Sequence, residues 1–555
     1  PDKPFILVEY CHAMGNGPGD LEDYWEVILA DEHACGGFVW EWCDHTVLAG
    51  RDETGREIHL YGGDHGETVH DGNFCVDGLV ASDRTPHAGL LELKNVQRPA
   101  RVVDYDQERG LVTLRNDLDF TDLDQYVRLS YEVRCDGAVV ESGPLELPGP
   151  VPPHSTVTLS CAPAVPDAGR CHLLITSRLR RQVPLLEPGH ELGFDEIPLA
   201  NADPRHRAVA KTLGPMTEAL EAGADVAARP NGAVGCADPA GAVGAGSAVG
   251  AGSAADAADA VRDGCETTLT GGDLTVVVDT RSGLPRSLRV GDRELLDRPM
   301  ELNIWRAPTD NDRHIRRQWE RAGYDRAGAQ AYSTRIIRRR GAVAVHAEMS
   351  VSATALQPAL RVRAVWTVTE SGELAVNLRA RKSEGFPCLP RFGLRLFLPS
   401  SMHQVAYYGL GPGESYIDKH RSCHHDEFRT TVAELHEGCI RPQESGSRAD
   451  CDYVALTEGA DDALELTAVG LRPFSFNVSA YTQEELTETA HDAELSPCGS
   501  TVLCLDGAMA GIGSASCGPE LRSDYRVDED ALGLDLVLLP LISSPIPNSA
   551  HNEVN

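Results

Sequence analysis

No aromatic residue occurs between Phe194 and Trp305, and 19 of the 30 residues from 231 to 260 are Ala or Gly. Side chains this small withdraw little apolar surface from water, so the stretch cannot build a core of its own. It reads as a flexible linker or long loop, assigned here to residues 201–262, and it divides the 555-residue chain into parts that must fold on either side of it. On the carboxyl side, short alternating runs recur at Leu274 to Val278, Ala342 to Met349, Leu360 to Val368, Leu374 to Leu378, Leu394 to Leu398, Tyr453 to Leu456, Leu464 to Val469 and Val502 to Leu505. Eight such runs predict a large all-β sandwich over residues 263–555, with the clearest helix at Thr482 to Ala490.

The amino side has two textures. Ile6 to Tyr10 reads as a buried strand and Gly36 to Trp42 as another, with Leu21, Tyr24, Trp25, Ile28 and Leu29 at helical spacing between them. A strand, helix, strand unit is about a quarter of an eightfold barrel, and residues 1–90 are assigned to the carboxyl-terminal part of one. Over residues 91–200, turn-bounded runs at Leu111 to Leu114, Val127 to Val133 and Val157 to Leu159 predict an immunoglobulin-like sandwich. The chain opens at Pro1 without a methionine and enters a strand within a few residues, so a preceding segment is expected; no signal-peptide pattern is recognisable.

Composition excludes several function classes. With 84 acidic against 50 basic side chains the net charge is −34, which rules out nucleic-acid binding through a basic surface. The longest apolar run, Leu534 to Ile542, is interrupted by Asp535 and Pro540 and falls well short of the ~20 residues of a membrane helix. The 16 cysteines contain no CxxC pair and read as reduced thiols, and the adjacent Cys423, His424 and His425 read as a solvated loop with no shared metal.

Chemistry concentrates at the amino end. In ILVEYCHAMGNGPGD, Glu9 ends a hydrophobic strand and is followed by Tyr10, His12, Met14, Gly15 and Asn16. Barrel strands carry catalytic groups at their carboxyl ends, which makes Glu9 a candidate catalyst; a strand-end glutamate paired with an arginine is the plainer alternative. At the second strand end, GGFVWEWCDH delivers Trp40, Glu41, Trp42 and Asp44. Tryptophans beside a carboxylate suit a sugar, whose C–H face stacks on a ring while its hydroxyls need polar partners. Alternation places Trp40 and Trp42 on one side, although one of them could equally close the barrel core.

Seven motifs carry a resemblance: ILVEYCHAMGN, GGFVWEWCDH, YGGDHGE, NFCVDGLVASDRTPH, WRAPTDND, YGLGPGESY and FSFNVSAYTQEEL, in this order along the chain. Their sequence resembles the carboxyl-terminal half of the large β-galactosidases of glycoside hydrolase family 2. The resemblance implies a mainly β, multidomain chain: the last strands of a (β/α)8 barrel, an immunoglobulin-like sandwich, and a terminal, galactose mutarotase-like supersandwich. It implies retaining hydrolysis of terminal β-D-galactosides such as lactose. Carried over by motif, Glu9 resembles the nucleophile, His12 a galactose-binding histidine, and Trp40 the ring against the sugar's apolar side. Phe74 resembles the residue whose carbonyl helps bind sodium, and Asp77 stands where an asparagine contacts that ion and the 6-hydroxyl. Cys517 replaces a tryptophan of the aglycone platform in the enteric type of the family.

The resemblance also implies magnesium, a homo-oligomer and the cytoplasm. It places the acid/base glutamate and the magnesium ligands on earlier barrel strands; the only Asn-Glu pair here, Asn552 and Glu553, lies in a polar tail. A missing amino-terminal half is therefore the expected partner. Two rival readings remain at this level, a non-catalytic complementing subunit and a carbohydrate-binding protein.

Overall fold

The computed structural model describes residues 3–213, 258–459 and 463–542. Most of the Ala/Gly-rich tract and the Asn552-Glu553 pair lie outside them. The first strand, β1 (Phe5–Tyr10), runs parallel to β2 (Ala34–Val39), with Leu7 opposite Gly37 and Tyr10 opposite Val39. A Cβ at Gly37 would sit 2.8 Å from Leu7 Cβ, so glycine permits this approach. Helix α1 (Leu21–Ala30) crosses over between them, buries Leu21 and Ile28, and sends Trp25 Nε1 to Tyr10 Oη at 3.0 Å. Helix α2 (Ala88–Val96) adds Val96 to the same small core. Two strands leave much of their surface uncovered: Val8 is 76% exposed and Phe38 63%.

The strand expected over Gly36 to Trp42 ends at Val39. The alternation argument for Trp40 and Trp42 therefore does not apply; both have left the sheet, and the Trp40–Glu41 peptide is cis.

Next come a three-stranded sheet (Ala100–Asp106, Leu111–Asn116, Thr156–Ser160) and a four-stranded sheet (Glu191–Leu199, Cys171–Leu179, Val127–Cys135, Ala138–Leu145). Their alternating inward residues, Val112 and Leu114 facing Val133, Leu173 and Ile175, make one core. The largest core belongs to a twelve-stranded sheet packed with a five-stranded one. Leu274–Asp279 shows the logic, burying Leu274, Val276 and Val278 and turning the residues between them outward. The apolar run near the carboxyl end is the strand Ala531–Ile542, seated between Leu374–Lys382 and Leu464–Ser479. The predicted helix appears as Gln483–Glu488, with Thr482 Oγ1 accepting from Glu485 N at 3.2 Å.

Within the interval 201–262, residues 207–213 are helical, and Val209 and Leu213 pack on Ala375, Val469 and Val537 of the large sandwich. Asp259–Asp263 is already a strand of the five-stranded sheet.

Cys423, His424 and His425 are not a solvated loop. Cys423 is 4% exposed and His425 7%, and His424 opens the strand His424–Thr431. His425 is pressed against the immunoglobulin-like unit, where Nδ1 meets Glu196 Oε2 at 2.7 Å. Burial opposes a charge on His425, but its bonds to Asp450 and Glu196 outweigh that and raise its pKa. Burial alone dominates at the neighbouring His172 and takes its pKa down to about 4. The 15 described cysteines are all free thiols.

Candidate active site

Glu9 lies on β1 one residue before its end, with its side chain exposed. The chain then turns sharply through Cys11, at φ 45°, and buries His12 to 4% exposure. His12 is held from two sides: Nε2 lies 3.4 Å from Asp77 Oδ2 and Nδ1 3.1 Å from Ser516 Oγ. Burial lowers the His12 pKa against the pull of Glu9, Glu41 and Asp310. The Phe74 ring stands 6.4 Å from the His12 ring and carries the Arg313 guanidinium 4.8 Å above its centroid.

The loop beyond β2 is knitted to these residues through its backbone. Ala13 N donates to Trp40 O at 2.8 Å, Glu41 N to Asp77 O at 2.8 Å, and Leu79 N to Glu41 O at 2.9 Å. Asp44 is a fastener: Oδ1 accepts from Gly78 N at 2.8 Å and Oδ2 meets His87 Nε2 at 2.9 Å. Trp40 stays 43% exposed beside this framework and Trp42 60%.

Asp77 is 2% exposed, and burial, then Glu41 and Asp44, push its pKa up to about 7. Its Oδ1 is buried without a hydrogen-bond partner among the described residues. A buried, unpartnered carboxylate oxygen fits a hard cation, which takes oxygen ligands. Cys517 is exposed next to Ser516; burial, then the charge of Glu9, raises its thiol pKa, which puts it in the electrostatic reach of the nucleophile candidate.

The structure thus gathers His12, Phe74 and Asp77 into one cluster, with Trp40 tied to it by backbone bonds and Cys517 within the field of Glu9. Ser516, Arg313 and Asn73 were not foreseen. Arg313 directly follows WRAPTDND, Asn73 opens NFCVDG and Ser516 directly precedes Cys517, so all three sit beside recognised positions.

WRAPTDND and YGLGPGESY supply fasteners, Arg306 within the large sandwich and Asp310 and Glu414 between it and the barrel portion. Arg306, fully buried, grips Asp312 with Nε and Nη2 at 3.0 and 2.7 Å and also donates to Ala510 O and Gly511 O. Asp310 receives Asn73 Nδ2 at 2.9 Å and Gln443 Nε2 at 2.9 Å. Asn16 is enclosed by Lys419, Glu414 and Glu444 O.

Comparison with known proteins matches all three regions. Residues 1–102 match the glycosyl hydrolases family 2 TIM barrel domain, 112–200 match β-galactosidase domain 4, and 270–538 match the β-galactosidase small chain. The chain belongs to glycoside hydrolase family 2. Within that family it is 36% identical over 527 residues to a β-galactosidase from Actinobacillus pleuropneumoniae, covering 95% of this chain and 47% of that protein. It is 34% identical over 529 residues to one from Staphylococcus xylosus, covering 95% and 48%. The chain therefore spans about half the length of the curated family 2 relatives it matches, and the region it matches is their carboxyl-terminal half.

Proposed function

We propose that this chain supplies the nucleophile half of a retaining β-galactosidase site that hydrolyses terminal β-D-galactosides such as lactose. The carrying observation is Glu9, presented exposed at the carboxyl end of β1 beside the buried His12–Asp77 pair and within the field of Cys517. In this reading a Glu9 carboxylate oxygen forms a bond to the anomeric carbon as the aglycone oxygen departs with a proton from an acid. Water then attacks the same carbon, gives its proton to the conjugate base, and releases Glu9. That acid belongs to an amino-terminal half, the partner this reading requires.

His12 and Asp77 would bind sugar hydroxyls, Trp40 would cover the apolar face, and Cys517 would border the aglycone. The Phe74 carbonyl and Asp77 would hold a sodium ion, which supplies a fixed positive charge for a sugar hydroxyl; the unpartnered Asp77 Oδ1 supports this. Magnesium would be held by the other half. A homo-oligomer and a cytoplasmic location complete the proposal, and among the described residues no helix is long and apolar enough to cross a membrane.

The test is trapping with a 2-fluoro-galactoside in the enzyme assembled from this chain and an amino-terminal fragment. One labelled peptide containing Glu9 is expected, and Glu9→Gln should abolish the label. A label on another residue overturns the nucleophile assignment. A second reading, a non-catalytic subunit or carbohydrate-binding protein, rests on the chain spanning about half of its relatives, and it predicts sugar binding with no label at all.

A further inference from the structure

We infer that Ser516 is a positioning residue that fixes which ring nitrogen of His12 carries the proton, and so which way the buried His12–Asp77 pair presents its donor to a sugar hydroxyl. The part that concerns the sugar rests on the function proposed above. Ser516 lies 504 residues from His12 in the chain, yet its hydroxyl meets His12 Nδ1 at 3.1 Å and, among the described residues, makes no other hydrogen bond.

The backbone groups of Ser516 are fixed as well. Its N–H donates to Asn311 Oδ1 at 2.9 Å, and its carbonyl accepts from Arg313 Nη1 at 3.1 Å. Asn311 spends the other end of its amide on Gly513 O, also at 2.9 Å. That same oxygen accepts from Gly19 N at 2.8 Å, so the loop bearing Ser516 and the loop that follows His12 are fastened to one atom. Ser516 and Asn311 are both buried, at 3% and 5% exposure. A hydroxyl carried on a peptide held at both ends is a fixed partner for the ring.

A neutral imidazole has one N–H and one lone pair, whereas an ionised carboxylate only accepts. Asp77 Oδ2, 3.4 Å from Nε2, therefore calls for the proton on Nε2. The Ser516 hydroxyl, which can donate or accept, completes that arrangement by donating to Nδ1. A separation of 3.4 Å is longer than the about 2.7 to 2.9 Å of a tight charge-assisted bond, so the pair is slack. A sugar hydroxyl then finds a donor on one side and an acceptor on the other: it accepts from Nε2–H and donates to Asp77. The opposite tautomer would set two acceptors against a hydroxyl with a single proton and leave one of them unpaired.

The test reads the ring by nitrogen NMR in the full chain carrying isotope-labelled histidine, at pH 8, where Asp77 is ionised; the His12 signals are those lost in His12→Gln. In the unaltered chain Nε2 should be protonated and Nδ1 bare. Ser516→Ala should give a mixture of both tautomers, and Ser516→Thr, which keeps the hydroxyl, should restore the single form. In the enzyme assembled with an amino-terminal fragment, Ser516→Ala should raise KM for an aryl galactoside about 3- to 10-fold and lower kcat by less than about two-fold, because one neutral hydrogen bond to a non-reacting hydroxyl is at stake. A proton on Nδ1 in the unaltered chain, a single Nε2–H tautomer retained in Ser516→Ala, or an unchanged KM in that variant would overturn the inference, and the first of these needs no variant to fold. The ring is read without substrate, so the expected tautomers in an assembled enzyme that hydrolyses nothing would uphold the link from Ser516 to His12 and overturn the galactosidase reading instead.

Discussion

Lys419→Met should be among the most damaging single changes in the chain. Lys419 is 3% exposed at its side chain, and its ammonium spends all three N–H groups, on Asn16 O (3.0 Å), Asn16 Oδ1 (2.8 Å) and Glu414 Oε1 (2.5 Å). Its removal leaves the fully buried Glu414 carboxylate, among the described residues, with Gly446 N at 2.8 Å and Asn16 Nδ2 at 3.3 Å as its remaining donors. Breaking one partner of a buried pair costs about 3 to 5 kcal/mol, because an uncompensated charge remains in a low-dielectric interior. That is a large part of the roughly 5 to 15 kcal/mol that holds a domain folded. Urea unfolding followed by tryptophan fluorescence, which reports on the buried Trp319 and Trp366, should show a midpoint lowered accordingly. The double variant Lys419→Met, Glu414→Gln removes the stranded charge and should regain more than half of the loss. A single-variant loss below about 1 kcal/mol, or a double variant no better than the single, would refute the reasoning.

Asp20, whose pKa burial and Asp418 push up to about 7 from 3.8, is favoured in its protonated form by the folded state. Stability associated with it is present at low pH and lost as pH rises from about 4 through 7, by at most roughly 4 kcal/mol; Asp20→Asn, which tolerates the φ of 50° there, should remove that slope when urea midpoints are compared at pH 5 and pH 8. Gly78→Ala would place a Cβ 2.2 Å from Asp44 N and 2.4 Å from Cys43 C, so backbone must move at about 1 to 3 kcal/mol, readable as a lowered melting temperature in the chain alone. In the assembled enzyme, Asp77→Ala should raise KM more than it lowers kcat and abolish any sodium dependence of KM; an unchanged KM when sodium is exchanged for a large organic cation would remove the ion from the proposal.

Much of the β architecture was legible because burial on one face writes itself into the sequence with period two. Leu111 to Leu114, Leu274 to Val278 and Val502 to Leu505 all fall inside strands. The strands that escaped notice break that rule for identifiable reasons. Gln404–Gly411 carries two tyrosines and three glycines or alanines, so small residues interrupt its pattern. His424–Thr431 is polar except for Phe428, because it faces the immunoglobulin-like unit through ion pairs such as Arg134 with Asp426. A polar interface between two folded units has no hydrophobic period to detect. The end of β2 was misread for the opposite reason: Phe38, Val39, Trp40 and Trp42 look like a strand, but the apolar residues past Val39 serve a surface and not a sheet.

The site shows the same division. Glu9 stands out in the sequence because it closes a hydrophobic strand, where a barrel presents its functional groups, whereas Ser516 reaches His12 from 504 residues away in the chain. That separation explains how so small a piece of barrel holds its shape. β1 and β2 bury few side chains of their own, yet the loop after β1 is bonded into the large sandwich at every step: Asn16 to Lys419 and Glu414, Gly19 N to Gly513 O at 2.8 Å, and Asp20 N to Asp418 O at 3.0 Å. The sandwich therefore supplies what two strands cannot, a rigid frame for the residues following Glu9. It leaves the outward side of the barrel piece apolar and open, where Phe5, Leu7, Tyr24, Val27 and Ile28 line a cleft of about 520 Å³. On the proposed reading, the polar anchoring would fix one wall of a shared active site in advance, and the uncovered strand edges are where further barrel strands would complete it.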